Sequence, residues 1–269
     1  MRSAAISAAQ VKALDAPGTR LFRGHGLNKS FGGVHAVRDI SLSISQGEVF
    51  AIIGPNGAGK STLLNLMSGH YQADSGAMSF GGVDLVGLPA HKRVRLGLAR
   101  TFQKIRLFNR LSVLDNVMAG FHVHHDLPAW QYVAQGAAFR RNHASCIEQA
   151  RALLSFVDLE PRADVTAASL AYGERRMLEL ARALATFPRL LMVDEPAAGL
   201  NAAEVEKLLD RIARLRARGM TIVIVEHNMD LVMQVADRVF VMDYGQYLFD
   251  GTPSEVQASP AVIAAYLGI

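Results

Sequence analysis

Val49-Phe50-Ala51-Ile52-Ile53-Gly54-Pro55-Asn56-Gly57-Ala58-Gly59-Lys60-Ser61 joins five consecutive apolar residues to a glycine-rich octapeptide. The apolar run has the length of a strand, and its unbroken hydrophobicity suits a strand covered on both faces, as in a parallel sheet. Gly54 to Ser61 fits the pattern G-x-x-x-x-G-K-[ST], after a strand and before an apolar helix pattern, which is the setting that motif requires. Glycines there let successive backbone N–H groups converge on phosphate oxygens, and the positive end of the following helix faces the same anion. The residues expected to bind a nucleoside triphosphate are Asn56, Gly57, Ala58, Gly59, Lys60, Ser61 and Thr62. Lys60 would reach the β and γ phosphates and Ser61 would be a ligand of Mg²⁺.

A second apolar run, Leu190-Leu191-Met192-Val193, ends in Asp194-Glu195. A buried strand that delivers two carboxylates beside a phosphate loop divides the labour. Asp194 can hold the Mg²⁺ shell, and Glu195 can align and deprotonate the attacking water.

Outward from these two strands the chain alternates. From Leu21 it reads as short strands, with Ile40, Leu42 and Ile44 separated by serines. Over residues 105–187 helical spacing takes over: Ser112 and Asp115 form a helix start, and Ile147, Ala150, Leu154 and Val157 lie on one stripe. Strand character returns at Leu190–Val193, Thr221–Val225 and Val239–Met242. A helix capped by Asn201 and Glu204 precedes the second of these and stops at Gly219. Thr252-Pro253-Ser254-Glu255 and Ser259-Pro260 start two short terminal helices. The fold class is α/β. The expected organisation is a flexible arm over residues 1–20, a β subdomain with the first part of the core over 21–104, a helical subdomain over 105–187, and the rest of the core with the C-terminal helices over 188–269.

The chain has 269 residues, half of them apolar, 19% charged and only 9 proline, a composition that excludes disordered and low-complexity classes. No apolar run approaches the roughly 18 residues of a membrane span, and Met1 to Ile6 lacks the apolar core of a signal peptide. Cys146 is the single cysteine, so an intrachain disulfide is impossible and a reducing, cytoplasmic compartment is expected. The formal charge is +4. Lys92, Arg93, Arg95, Arg100, Lys104, Arg106 and Arg110 follow one another with no acidic residue between. They read either as a solvated face or as a surface apposed to anionic lipid or an acidic partner. His122, His124 and His125 lie close together without further ligands at metal spacing except Asp126, and read as a solvated loop.

Five further elements make the sequence, from about Leu21 to its end, similar to the nucleotide-binding subunits of ATP-binding cassette (ABC) transporters. Phe31 in Lys29-Ser30-Phe31-Gly32-Gly33 matches the aromatic that stacks on adenine. Gln103 in Arg100-Thr101-Phe102-Gln103 matches the glutamine that senses Mg²⁺ and contacts the membrane subunit. Leu170-Ala171-Tyr172-Gly173-Glu174 stands at the signature, Ala197 to Asn201 at the D-loop, and His227 at the switch histidine. The resemblance implies a P-loop NTPase (ABC ATPase) core with an antiparallel β subdomain and an inserted α-helical subdomain. It implies Glu195, His227 and Gln103 as catalytic residues, and Ser61, Gln103 and Asp194 around Mg²⁺. It also implies ATP contacts from Phe31, the phosphate loop and the signature residues Leu170, Ala171, Tyr172, Gly173 and Glu174.

Two departures stand out. Ala171 replaces the signature serine and Glu174 the glutamine, while Asn201 replaces the D-loop aspartate. These variants, together with Glu226-His227-Asn228-Met229-Asp230-Leu231-Val232-Met233 and the ending Ala265-Tyr266-Leu267-Gly268, resemble the ATP-binding subunit of branched-chain amino acid importers. So does the extended stretch from about Phe121 to His143. The implied partners are membrane permease subunits, a second ATPase or a second copy in a head-to-tail dimer, and indirectly a periplasmic binding protein. The implied location is the inner face of the cell membrane, with no nucleic acid expected. The alternatives are a lipopolysaccharide-export ATPase, which the long helical stretch disfavours, and an ABC ATPase acting on nucleic acid or the ribosome. The latter generally carries two cassettes or a coiled coil.

Overall fold

A computed structural model describes residues 20–124 and 137–267. The expected N-terminal arm lies outside the described residues except for Arg20, which already belongs to a strand. His125 and Asp126 lie outside them too, as does most of the extended stretch after Phe121.

The strands are β1 (Arg20–Phe31), β2 (Val34–Ser45), β3 (Val49–Ile53), β4 (Ser75–Phe80), β5 (Val83–Asp84), β6 (Leu98–Arg100), β7 (Leu190–Asp194), β8 (Thr221–Val225), β9 (Arg238–Asp243) and β10 (Gln246–Gly251). The helices are α1 (Lys60–Ser68), α2 (Ala90–Arg95), α3 (Val113–Phe121), α4 (Ala137–Phe156), α5 (Tyr172–Leu184), α6 (Ala202–Ala217), α7 (Met229–Val235), α8 (Pro253–Ala258) and α9 (Pro260–Leu267).

Four strands form an antiparallel sheet in the order β2-β1-β4-β5. Ile40, Leu42 and Ile44, spaced by two, turn one face of β2 inward, where they meet Phe22, Phe80 and the α1 residues Leu63 and Leu64. The second sheet runs β10-β9-β3-β8-β7-β6, parallel throughout except for the β10–β9 hairpin. Every residue of β3, β7 and β8 is buried, as their unbroken apolar sequences require. At about 1.5–3 kcal/mol for each large side chain taken fully from water, these three strands anchor the molecule. Val113, Val117, Ala150, Leu154, Leu178 and Ala181 join the helical region to that sheet. Val239, Val241, Val256 and Val262 hold the C-terminal helices against it.

Helix starts follow the caps read from the sequence. The Ser112 side chain accepts from Asp115 N–H, and Asn201 and Thr252 each form a reciprocal capping box, with Glu204 and Glu255. Among the described residues no helix is long and apolar enough to cross a membrane.

The basic run is not one surface. Arg93 is fully buried, donating to the carbonyls of Leu66, Met67, Leu85 and Leu88. Arg100 turns inward to Asp194. Both readings of the run as an outward face are corrected at these two positions, because orphan carbonyls and a buried carboxylate give a guanidinium better partners than solvent.

The carboxyl ends of the adjacent parallel strands β3, β8, β7 and β6 open on one edge of the sheet. In an open parallel sheet this is where loops with binding and catalytic groups converge.

Candidate active site

β3 ends at Ile53, and the chain turns through Gly54 to Gly59 before α1 begins at Lys60. Two glycines are needed for space. A Cβ on Gly54 would lie 2.0 Å from the Met242 carbonyl oxygen, and one on Gly59, at φ 95°, would lie 2.2 Å from that of Ala36. The loop is thus pressed against neighbouring backbone while its own N–H groups remain at the start of α1. Asn56, Gly57 and Ser61 are exposed, Gly59 and Thr62 half-buried and Ala58 buried. The buried ammonium of Lys60 donates to Gly54 O at 2.7 Å and Pro55 O at 3.0 Å. Burial lowers its pKa, and the nearby Glu195 and Asp194 carboxylates oppose that shift. Lys60, Asp194 and Glu195 therefore share one electrostatic site.

Asp194 closes β7 with its side chain buried. Oδ2 accepts from Arg100 Nη2 at 3.1 Å, while Nη1 of the same guanidinium reaches Asn65 Oδ1 at 2.6 Å and Ser68 Oγ at 2.9 Å. Burial pushes the Asp194 carboxyl up, against the pull of Arg100. Oδ1 is buried with no hydrogen-bond partner. An orphaned carboxylate oxygen beside a phosphate loop with an exposed serine hydroxyl is an oxygen donor set that fits a hard divalent cation such as Mg²⁺.

Glu195 has φ 46°. The left-handed region costs an ordinary residue about 1–2 kcal/mol and persists where the surroundings impose it. Its N–H donates to Val225 O at 2.8 Å, and its Oε2 accepts from Gln103 Nε2 at 2.7 Å. Gln103 itself is exposed and follows β6 closely, so the ends of β6 and β7 meet at this carboxylate.

Phe31, at the end of β1, is 44% exposed, and its ring stands edge-on to Tyr71 at 5.2 Å. It is not core filler. His227 follows β8 with its imidazole exposed, and Nδ1 is 3.7 Å from Glu226 Oε2.

The signature segment opens α5. Leu170 and Gly173 are buried, Ala171 and Tyr172 exposed. Because Ala171 has no side-chain acceptor, only half of a capping box remains: Glu174 Oε2 accepts from Ala171 N–H at 2.9 Å. Tyr172 is seated on the D-loop, where a Cβ on Gly199 would lie 2.9 Å from its ring. The bulky signature residue and the D-loop glycine are thus complementary. Asn201 serves as the cap of α6.

Three residues of the site carry no local sequence signal of their role. Arg176 on α5 donates to the carbonyls of Phe102 and Gln103 and to the Tyr172 hydroxyl, joining the signature helix to the glutamine loop. In the sequence Arg100 stands in a basic run and shortly before Gln103, and Glu226 stands beside His227, with nothing that marks the side chain of either as part of the site. Each acts across a long sequence separation, and no local pattern signals it. Among the described residues no group of His, Cys, Asp and Glu is placed to hold a metal ion by itself.

The pattern that defines the ABC transporter family matches residues 37–198, and that of the branched-chain amino acid ATP-binding cassette transporter matches residues 248–269. The chain is 42% identical over 244 residues to the high-affinity branched-chain amino acid transport ATP-binding protein BraF of Pseudomonas aeruginosa, covering 90% of this chain and 96% of that one. It is 35% identical over 250 residues to the lipopolysaccharide export system ATP-binding protein LptB of Acidithiobacillus ferridurans, covering 93% and 98%. Among solved structures, the nucleotide-free ATP-binding cassette of an ABC transporter superposes with a TM-score of 0.80 at 30% identity, over 93% of this chain and 100% of that one. The phosphate loop, the paired carboxylates and these matches together place the protein in the ABC transporter family, as one of its ATP-binding, ATP-hydrolysing subunits.

Proposed function

We propose that this subunit powers the import of branched-chain or related hydrophobic amino acids through partner permeases. The observation that carries the reading is the segment 248–269, which matches the branched-chain importer pattern. The higher identity to BraF than to LptB supports it against the lipopolysaccharide-export reading. In this reading the protein is cytoplasmic, peripheral on the inner face of the membrane, and a periplasmic binding protein supplies the substrate from the other side.

Lys60 and the N–H groups of Asn56 to Thr62 bind the β and γ phosphates, and Phe31 stacks on the base. Mg²⁺, held by Ser61 and Asp194 with Gln103 near it, would neutralise charge developing on the phosphates. Glu195 takes a proton from water, with Gln103 fixing its carboxylate and His227 facing the γ phosphate. The signature Leu170 to Glu174 completes the site of a second subunit, either a second ATPase or another copy, in a head-to-tail dimer. A cleft of about 680 Å³ beside the glutamine loop, walled by Leu98, Phe102, Arg106, Phe108 and Glu179, is the proposed seat of a permease segment.

The test is reconstitution in proteoliposomes with the permeases of a branched-chain amino acid importer. ATP-dependent uptake of leucine or valine is expected when the matching binding protein is added. Uptake of neither, with ATP turnover intact, would refute the substrate assignment.

A further inference from the structure

Glu226 follows β8 directly, and its carboxylate is fully buried. Its two oxygens accept three backbone N–H groups. Oε1 takes Ala197 at 3.0 Å, and Oε2 takes His227 at 3.0 Å and Asn228 at 3.3 Å. Burying a carboxylate is costly unless it is well hydrogen-bonded, and here those bonds run to two different loops. Ala197 belongs to the loop that leaves Glu195, whereas His227 and Asn228 form the switch segment.

The neighbouring residue adds to the grip. Val225 O accepts the Glu195 N–H at 2.8 Å. Pro196 has no N–H to offer, so the two amide donors flanking it are held by consecutive residues at the end of β8. A left-handed φ of 46° at Glu195 needs such restraint from both sides. The other oxygen of Glu226 fixes the peptide groups of the switch segment, and the His227 imidazole projects from that same anchored backbone.

We infer that Glu226 is a positioning residue for hydrolysis: one carboxylate holds Glu195 in its strained conformation through Ala197 and sets the backbone from which His227 faces the site. The inference rests on the reading of Glu195 as the residue that activates water. It assigns no substrate contact to Glu226.

The test uses the full-length chain with Glu226→Gln, Glu226→Ala and Glu195→Gln, measuring single-turnover ATP hydrolysis, affinity for a fluorescent ATP analogue, and melting temperature. Misplacing a reacting group by about 1 Å can cost on the order of 10²-fold in rate, so a loss of that size is expected for Glu226→Ala. The isosteric Glu226→Gln, which keeps one acceptor oxygen and the packing, should lose less. Nucleotide affinity should be unchanged in both. Combining Glu226→Ala with Glu195→Gln should cost less than the product of the two single losses, because the first acts through the second. A purely structural role would lower the melting temperature but leave the rate per folded molecule and the full product intact. A parental rate in a folded Glu226→Gln, or losses that multiply fully in the double variant, would overturn the inference. A parental rate in Glu195→Gln alone would instead overturn the reading of Glu195, and this inference with it.

Discussion

Gln103 Nε2 donates to Glu195 Oε2 at 2.7 Å, tying the loop after β6 to the carboxylate at the end of β7. Glu195→Gln preserves the shape and can keep this contact through its amide oxygen, but it cannot take a proton. ATP binding should survive while phosphate release slows by at least about 10²-fold. An ATP-bound dimer should then accumulate on size-exclusion chromatography. Parental phosphate release would remove Glu195 from the role of base.

Lys60 donates to two carbonyls of its own loop, and burial by the surrounding chain works against its charge. In the proposed site its contacts to the β and γ phosphates would be lost with the side chain. Lys60→Ala should abolish tight ATP binding in a fluorescence titration, and turnover with it. An unaltered affinity would show that the loop binds nucleotide through its backbone alone.

The exposed Phe31 ring has Tyr71 against its edge and Lys29 Nζ 5.4 Å from its centroid, which leaves ring surface open to a base. Phe31→Ala should weaken nucleotide binding by about 1–3 kcal/mol, with little change in rate at saturating ATP. Because stacking tolerates any base, GTP should also be hydrolysed. The Michaelis constants for both nucleotides check this, and unchanged values would leave Phe31 without a role in binding.

What the sequence disclosed was local. The phosphate loop and the Asp194-Glu195 pair each lie within one strand and its following turn, so adjacent residues carry the whole signal. The caps Ser112, Asn201 and Thr252 were legible for the same reason. Strand β6 was not, because three residues, Leu98–Arg100, are too few to show a period. Nor could a run of arginines disclose that Arg100 pairs with Asp194, 94 positions away, or that Arg176 holds the Phe102 and Gln103 carbonyls. Such pairings are set by which strands become neighbours in the sheet.

Arg93 offers a direct measure of that difference. From α2 its fully buried guanidinium satisfies four carbonyl oxygens at 2.7–2.9 Å, two of them, Leu66 and Met67, in the last turn of α1. Lysine keeps the charge but gathers its donors on a single nitrogen, which cannot reach acceptors arranged around a planar fork. With each buried group left unpaired costing about 1–3 kcal/mol, Arg93→Lys should lower the unfolding free energy by about 3 kcal/mol. Chemical denaturation checks this. A change within experimental error would mean that the carbonyls find other partners.

Lys104 and Arg106, in contrast, are exposed. Arg106 lies over the Phe102 ring at 4.6 Å, and its backbone N–H and carbonyl are engaged by Glu179 and Arg182. The residue thus presents its charge at the mouth of the cleft while its backbone is fixed to α5. A permease segment entering that cleft would meet an apolar wall and this positive rim. Reversing both charges, with Lys104→Glu and Arg106→Glu, should weaken attachment to the permeases. ATP turnover by the isolated subunit should be spared, since neither side chain belongs to a phosphate or metal motif. Co-purification with the permeases at low and moderate salt is the measurement, because contacts between exposed charges fade as the Debye length falls towards about 8 Å. The wild-type complex should lose some of its stability across that salt range, and the double variant should show its deficit already at low salt. If the variant co-purifies as well as the wild type and supports uptake at the same rate, the rim takes no part in docking, and the apolar wall of the cleft must hold the partner without it.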